Sequence, residues 1–212
     1  RRATQAADTG FFKSEIVECQ GLNANGVLTF IDRDQSIRSD ANLAAMKQLK
    51  PVFLPKIGSI TAATSAPMSD GAAAMVVMSE ATARRHQIIP MVRVLSTAVI
   101  GVSPALMGMG PVYATRKLLH RSGIHLRDIG LFEINEAFAA QAMACVEELK
   151  LDHDRVNVCG GSLAIGHPLG ASGARISTTL IHAMRDRQVH LGLATMCIGL
   201  GQGIAVVFEL IE

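Results

Sequence analysis

Ile129-Gly130-Leu131-Phe132-Glu133-Ile134-Asn135-Glu136-Ala137-Phe138-Ala139-Ala140-Gln141-Ala142-Met143-Ala144-Cys145 changes its hydrophobic period part-way along. Ile129 to Ile134 is a short apolar run of the kind a buried strand needs. Beyond Asn135 the apolar residues Phe138, Ala142, Cys145 and Leu149 recur at i, i+4, i+7 and i+11, which is one face of a helix beginning at Asn135. The same alternation extends outward. Ala72 to Met78, Val92 to Ile100, Val156 to Val158, Leu191 to Met196 and Ile204 to Leu210 read as strands. A helix opens at Pro111, with Val112, Thr115 and Leu119 at helical spacing, and Gly123 stands where a left-handed C-terminal residue is wanted. Another starts after Pro168 and buries Ile176, Leu180 and Ala183. Strands alternating with helices predict an α/β fold with helices packed on a sheet. Only Gly-rich residues separate the last two strands, which suits an antiparallel hairpin and makes the sheet mixed. The first sixty residues are polar and irregular. Asn23-Ala24-Asn25-Gly26 and Asp32-Arg33-Asp34 supply turn chemistry around one helix candidate, near Ser39 to Leu49, which Pro51 and Pro55 close.

Bulk properties exclude several classes of function. With 212 residues, 49% of them hydrophobic and 18% charged, the chain can bury a substantial core. A formal charge of +2, no Trp, Tyr113 as the only Tyr and seven Phe argue against nucleic acid as a partner. Cys19, Cys145, Cys159 and Cys197 lie far apart without a CxxC pair, so neither a zinc site nor a disulfide framework is indicated, and a reducing compartment fits. No apolar run approaches the roughly twenty residues that span a bilayer. Arg1-Arg2-Ala3-Thr4 reads like the middle of a helix, with no initiator Met, and residues upstream of it are expected.

Three segments place a reactive or polarising group where a strand ends. Asn135 follows the first strand, at the carboxyl edge where α/β sites form; its side chain could equally cap the helix, and Glu136 could serve the helix dipole. The second segment, Gly160 to Arg175, has glycines at 160, 161, 166, 170 and 173, which cost stability unless tight turns or close approach require them. Neither the P-loop spacing nor GxGxxG is present. His167, pinned by Pro168, suits an imidazole of fixed orientation, although a structural role is also open. The third segment is Cys197-Ile198-Gly199-Leu200-Gly201-Gln202-Gly203. Its thiol is either a buried inert one or one whose pKa is depressed by converging backbone N–H groups. Together these segments supply an acid–base pair and an amide, the groups that proton abstraction beside a carbonyl requires.

In that order, Asn135-Glu136-Ala137-Phe138-Ala139-Ala140-Gln141, Gly166-His167-Pro168-Leu169-Gly170-Ala171-Ser172-Gly173-Ala174-Arg175 and Cys197-Ile198-Gly199-Leu200-Gly201-Gln202-Gly203 resemble the signatures of the thiolase family. The similarity extends over essentially the whole chain, including Thr61-Ala62-Ala63-Thr64, Asp70-Gly71-Ala72-Ala73 and Gly108-Met109-Gly110-Pro111. The resemblance implies a thiolase-like mixed five-stranded sheet with helices on both faces. It further implies a map of residues 1–58 as part of the loop domain covering coenzyme A, 59–90 as the last strand and helix of the amino-terminal half-domain, and 91–212 as the carboxy-terminal half-domain. Strands Ala72 to Met78 and Ile204 to Leu210 would then be equivalent halves of a duplication.

The implied reaction is thiolytic cleavage of 3-ketoacyl-coenzyme A, or the reverse Claisen condensation, through an acyl-cysteine. The implied setting is fatty-acid metabolism, with coenzyme A as substrate and no tightly bound cofactor or metal. By the resemblance His167 activates the nucleophile and helps bind the thioester oxygen, Asn135 holds a water that completes this oxyanion site, Cys197 exchanges the α-carbon proton, and the Gly199 N–H belongs to a second oxyanion site. The nucleophilic Cys has no counterpart here, because Cys19 lacks the small-residue helix start, so this chain alone is expected to be nearly inactive. Arg38 would meet the adenine end of coenzyme A and Ala62 the pantetheine. Ser65 could replace hydroxyls that Ala45 and Ala66 lack, and Phe53, Met107 and Phe138 would wall the pocket. The family implies a homo-oligomer, a dimer or a tetramer, in the bacterial cytoplasm or an organelle matrix. Two alternatives stand beside it: a truncated, non-catalytic relative that binds coenzyme A or a protein partner, and a decarboxylating ketoacyl synthase, disfavoured because Cys197 occupies the place of that family's second His.

Overall fold

The computed structural model describes residues 1–23 and 25–211. In chain order the helices are α1 (Arg2–Asp8), α2 (Leu43–Lys47), α3 (Glu80–Arg85), α4 (Gly110–Ser122), α5 (Ala139–Glu148), α6 (Ser162–Ile165) and α7 (Ser172–Arg187). The strands are β1 (Cys19–Leu22), β2 (Leu28–Ile31), β3 (Val92–Gly101), β4 (Leu131–Ile134), β5 (Leu191–Ile198) and β6 (Gln202–Leu210). The main sheet has the order β3-β6-β5-β4, with β4 parallel to β5 and the other two pairs antiparallel. It is the mixed α/β sheet that the alternation predicts, and β5–β6 is the expected hairpin.

Period-two alternation divides the core between the two faces of this sheet. Phe132, Ile134, Leu193, Ala205 and Val207 point to one face, where Val112 and Leu118 of α4 and Cys145 of α5 cover them. Leu131, Ala194 and Phe208 point to the other, under Ile176, Leu180, Ala183 and Met184 of α7, with Ala3, Ala6 and Phe12 closing that layer from the amino-terminal segment. The expected buried face of α7 is therefore the observed one. Glu133 lies between Phe132 and Ile134 on β4, so the pleat turns its carboxyl toward the α7 face, where it is only 2% exposed.

Local chemistry sets the helix ends. Pro111 occupies the first turn of α4, and Gly123 ends that helix at φ 72°. Its first residue, Gly110, approaches β6 so closely that a Cβ would stand 2.3 Å from the Gln202 carbonyl oxygen. Gly203 meets Gly110 in the same way, so this crossing excludes any side chain.

Four expectations are corrected. Ala72 to Met78 forms no strand; among the described residues nothing pairs with its backbone, and Val76 and Val77 are 86% and 78% exposed. Its equivalence with β6 therefore does not appear as matching secondary structure. Val156 to Val158 contracts to one parallel bridge between Phe132 and Val156, so that among the described residues the sheet has four strands and not five. The helix after β4 starts at Ala139, not Asn135, with Phe138 in the flanking extended position. The irregular first sixty residues contain the antiparallel pair β1–β2, which the sequence reading missed. Ala24 of the expected turn lies outside the described residues; beside it, the Asn23 Oδ1 accepts from the Asn25 and Val27 N–H groups at 2.9 and 3.1 Å. The candidate helix near Ser39 shortens to α2, capped by the Asn42 side chain accepting from Ala45 N–H at 2.8 Å. No helix among the described residues is long and apolar enough to cross a membrane.

Candidate active site

Asn135 follows the last residue of β4 and continues the sheet, its N–H donating to the Thr195 carbonyl at 3.0 Å. Its side chain is 1% exposed and points at the Gly-rich loop before α7, not at α5. Asn135 Nδ2 lies 3.3 Å from His167 Nε2, and Asn135 Oδ1 accepts from Ser162 Oγ at 2.6 Å. The helix-cap alternative is thereby excluded. His167 Nδ1 lies 2.6 Å from Ser172 Oγ, whose hydroxyl donates to the Pro168 carbonyl at 2.9 Å. A Ser172 hydroxyl that donates to this carbonyl requires the imidazole hydrogen on Nδ1 and leaves Nε2 with a lone pair. Burial, and secondly the Arg175 guanidinium, hold the imidazole below its ordinary pKa. The Nε2 edge of the imidazole thus faces the Asn135 amide.

Glu136 serves the loop and not a helix dipole. Its Oε1 accepts from Asn157 Nδ2 at 2.9 Å and its Oε2 from the Leu163 N–H at 3.1 Å. Asn157 also donates to the Ile134 carbonyl and accepts from the Ile134 N–H, which fastens this loop to the end of β4. The glycines of the loop now have reasons. A Cβ on Gly161 would strike the Glu136 carboxylate, one on Gly160 would strike Ala3, and one on Gly166, at φ 108°, would strike Ser69. Each admits a protein neighbour at close range.

Cys197 is the penultimate residue of β5 and pairs with Gly203 across the hairpin. It is 7% exposed, and burial pushes its thiol pKa up, with a hydrogen bond to backbone as a smaller opposing effect. The depressed pKa considered from the sequence is therefore corrected: the hairpin turn does not supply enough N–H groups to outweigh desolvation. Gly199 sits exposed in that turn, with open space where a side chain would stand.

The expected ligand contacts divide into two groups. Ala62 and Ser65 lie in a turn stitched to the start of α5: Ser65 bridges Phe138, Ala66 N–H donates to the Ala137 carbonyl at 3.0 Å, and Ala139 N–H to the Thr64 carbonyl at 2.8 Å. The Ser65 hydroxyl is engaged by the Thr61 carbonyl at 2.8 Å. Met107 and Phe138 are half-buried. Arg38 and Phe53 are exposed, and among the described residues the Arg38 side chain makes no hydrogen bond or ion pair. Sequence reasoning assigned no role to Ser162, Ser172 or Arg175, although all three stand in the quoted loop. Polar residues among glycines that cannot themselves donate a side chain were the available signal.

An amide and an imidazole converge at a strand end, beside a buried thiol on the neighbouring strand. Two family models match the chain that carries them. A model described as Thiolase, C-terminal domain matches residues 88–210, and one described as Thiolase, N-terminal domain matches residues 1–81. The chain belongs to the thiolase family. A 3-ketoacyl-CoA thiolase of Yersinia pestis (strain Pestoides F) is 53% identical over 212 residues, 99% of this chain and 55% of that protein. One from Cronobacter sakazakii is 52% identical with the same coverage. Among solved thiolase structures, the Bacillus anthracis acetyl-CoA acetyltransferase superposes with a TM-score of 0.94 at 38% identity, over 99% of this chain and 53% of that one. Human mitochondrial 3-ketoacyl-CoA thiolase in complex with CoA superposes with a TM-score of 0.89 at 33% identity, over 99% and 52%. The chain spans about half the length of the thiolases it matches.

Proposed function

We propose that these residues form one half of the active site of a thiolase that cleaves 3-ketoacyl-coenzyme A or condenses acyl-coenzyme A, with coenzyme A as substrate. The observation that carries this reading is the pairing of Asn135 Nδ2 with His167 Nε2 at 3.3 Å. We also carry forward the map in which 1–58 belongs to the coenzyme A-covering loop domain, 59–90 to the amino-terminal half-domain and 91–212 to the carboxy-terminal one. A homo-oligomer is the expected assembly of the complete protein.

In this reading His167 Nε2 takes the proton of a nucleophilic cysteine thiol, and the thiolate attacks the 3-keto carbon. The bond between the 2- and 3-carbons breaks and its electron pair moves onto the 2-carbon, giving an enolate whose thioester oxygen is held by the His167 N–H and a water bound to Asn135. Cys197 delivers its proton to that carbon, and acetyl-coenzyme A leaves. A second coenzyme A gives its thiol proton to Cys197 and attacks the acyl-cysteine, whose oxygen lies against the Gly199 N–H; the carbon–sulfur bond to the nucleophile breaks, the shortened acyl-coenzyme A leaves, and the cysteine thiolate takes back the proton held on His167 Nε2. A thiol whose pKa is raised is suited to holding the proton that step must deliver. None of Cys19, Cys145 and Cys159 serves as nucleophile. Cys19 is exposed on β1, while burial pushes the thiols of Cys145 and Cys159 up to about 11 and about 12. The nucleophile therefore belongs to residues other than these 212.

The test is a chimera in which this chain is completed by the amino-terminal residues of the Yersinia pestis relative. Cleavage of acetoacetyl-coenzyme A is expected from the chimera and not, above background, from the 212-residue chain. His167→Ala in the chimera is expected to lower kcat by about 100- to 10,000-fold. Turnover by the chain alone would overturn the assignment of the nucleophile, and an unimpaired His167→Ala chimera the assignment of the base.

A further inference from the structure

Arg175, in the first turn of α7, can only donate hydrogen bonds. Its Nη2 donates to Ser162 Oγ at 2.9 Å. A hydroxyl has one proton, so with Arg175 on its lone pair Ser162 must pass that proton to Asn135 Oδ1, 2.6 Å away. The amide oxygen is thereby turned to Ser162 and the amide N–H to His167. From the opposite end, the Ser172 hydroxyl donates to the Pro168 carbonyl and accepts from His167 Nδ1, which leaves Nε2 as the acceptor for that same N–H. Both ends of the chain demand one orientation of Asn135 and one tautomer of His167.

The guanidinium lies among three carboxyl groups whose pKa values burial raises. Its side chain is 16% exposed, and Nη1 faces the Glu133 carboxylate at 3.7 Å. Glu15 and Asp34, both from the amino-terminal segment, lie close enough for Arg175 to favour their ionised forms. Nε and Nη1 have no hydrogen-bond partner among the described residues, so the one directed side-chain bond Arg175 makes is the bond to Ser162.

We propose that Arg175 and Ser162 are positioning residues that fix which end of the Asn135 amide faces His167, and so keep hydrogen off Nε2. The proposal rests on the reading of Asn135 and His167 as catalytic groups. Without the Arg175 donor the Ser162 proton is free to turn, and the amide can rotate to present its oxygen to Nε2. An imidazole facing that oxygen is favoured in the Nε2–H form, which cannot take a proton.

The experiment is nuclear magnetic resonance on the chain with 15N-labelled Asn and His, at a pH where the imidazole is neutral. A two-bond coupling across the hydrogen bond from Asn135 Nδ2 to an unprotonated His167 Nε2 is expected in the wild-type chain. It is expected to vanish in Ser162→Ala and in Arg175→Met while the backbone amide spectrum stays dispersed. A wild-type chain with hydrogen on Nε2, or a coupling that survives in either variant, would overturn the proposal. The wild-type measurement tests the orientation by itself, and either variant that folds tests the part played by its side chain. None of these readouts needs turnover, so they separate this inference from the proposed activity. In the chimera, Ser162→Ala is expected to lower kcat about 10- to 100-fold with KM for coenzyme A unchanged.

Discussion

The carboxyl of Glu133 shares the interior with the Arg175 guanidinium, and desolvation pushes its pKa up to about 8 despite the stabilising charge 3.7 Å away. Glu15 is raised to about 7, again chiefly by burial. Between about 4.5 and these values the folded chain binds protons that the unfolded chain releases, so stability falls as pH rises through that window. The urea midpoint is expected to drop between about pH 5 and pH 8.5, and to drop less in Glu133→Gln, a neutral side chain of the same shape. Equal drops in the two proteins would show that Glu133 does not titrate in this range. At the neighbouring site, Asn135→Ala in the chimera is expected to lower kcat by about 100- to 1,000-fold, the worth of one oxyanion donor, as read from initial rates. Asn135 was legible as a candidate but not as a choice, because an Asn between strand and helix serves equally well as a cap. Only the loop carrying Ser162 and His167, folded back from more than twenty-five positions away, excludes the cap.

Elements meet most closely where α4 starts against β6. A methyl group on Gly110 would stand 2.3 Å from the Gln202 carbonyl oxygen, within the contact range of backbone that cannot swing aside. Gly110→Ala is accordingly expected to destabilise the chain by about 1–3 kcal/mol, seen as a lowered thermal midpoint. An unchanged midpoint would mean that the helix can slide along the sheet. Pro111 and Gly123 made both ends of α4 readable, since each imposes a local dihedral that no distant contact is needed to explain. The β5–β6 hairpin was readable for the same reason. Ala72 to Met78 was misread because its composition suits a strand, yet a strand exists only where another backbone satisfies its N–H and C=O groups. Val156 shows the intermediate case, with one bridge to Phe132 and no ladder. The pair β1–β2 escaped notice because its strands are four residues long and mostly exposed, so the apolar Leu28, Phe30 and Ile31 of β2 do not alternate between a buried and a solvent face.

At the scale of the molecule, the segment around Val76 and Val77 exposes apolar surface, as do Ile88 and Ile89 just before the edge strand β3 and Val94 and Val99 on it. Surface of this kind is costly in water, and an unpaired strand edge invites pairing. The 212-residue chain is therefore expected to self-associate with rising concentration in sedimentation velocity; a monomer throughout would show that this surface is covered within the chain. The order of β3 to β6 with α4, α5 and α7, the mixed character of the sheet and the buried face of α7 follow from the sequence by itself, and Asn135, His167 and Cys197 are legible there as candidates, because each is written in a local period, a local dihedral or a short motif. Tertiary structure alone decided the direction of the Asn135 amide, the tautomer of His167, the upward shift of the Cys197 thiol and the part played by Arg175. These depend on which donors and acceptors meet across the folded interior, and on how much water is excluded when they do.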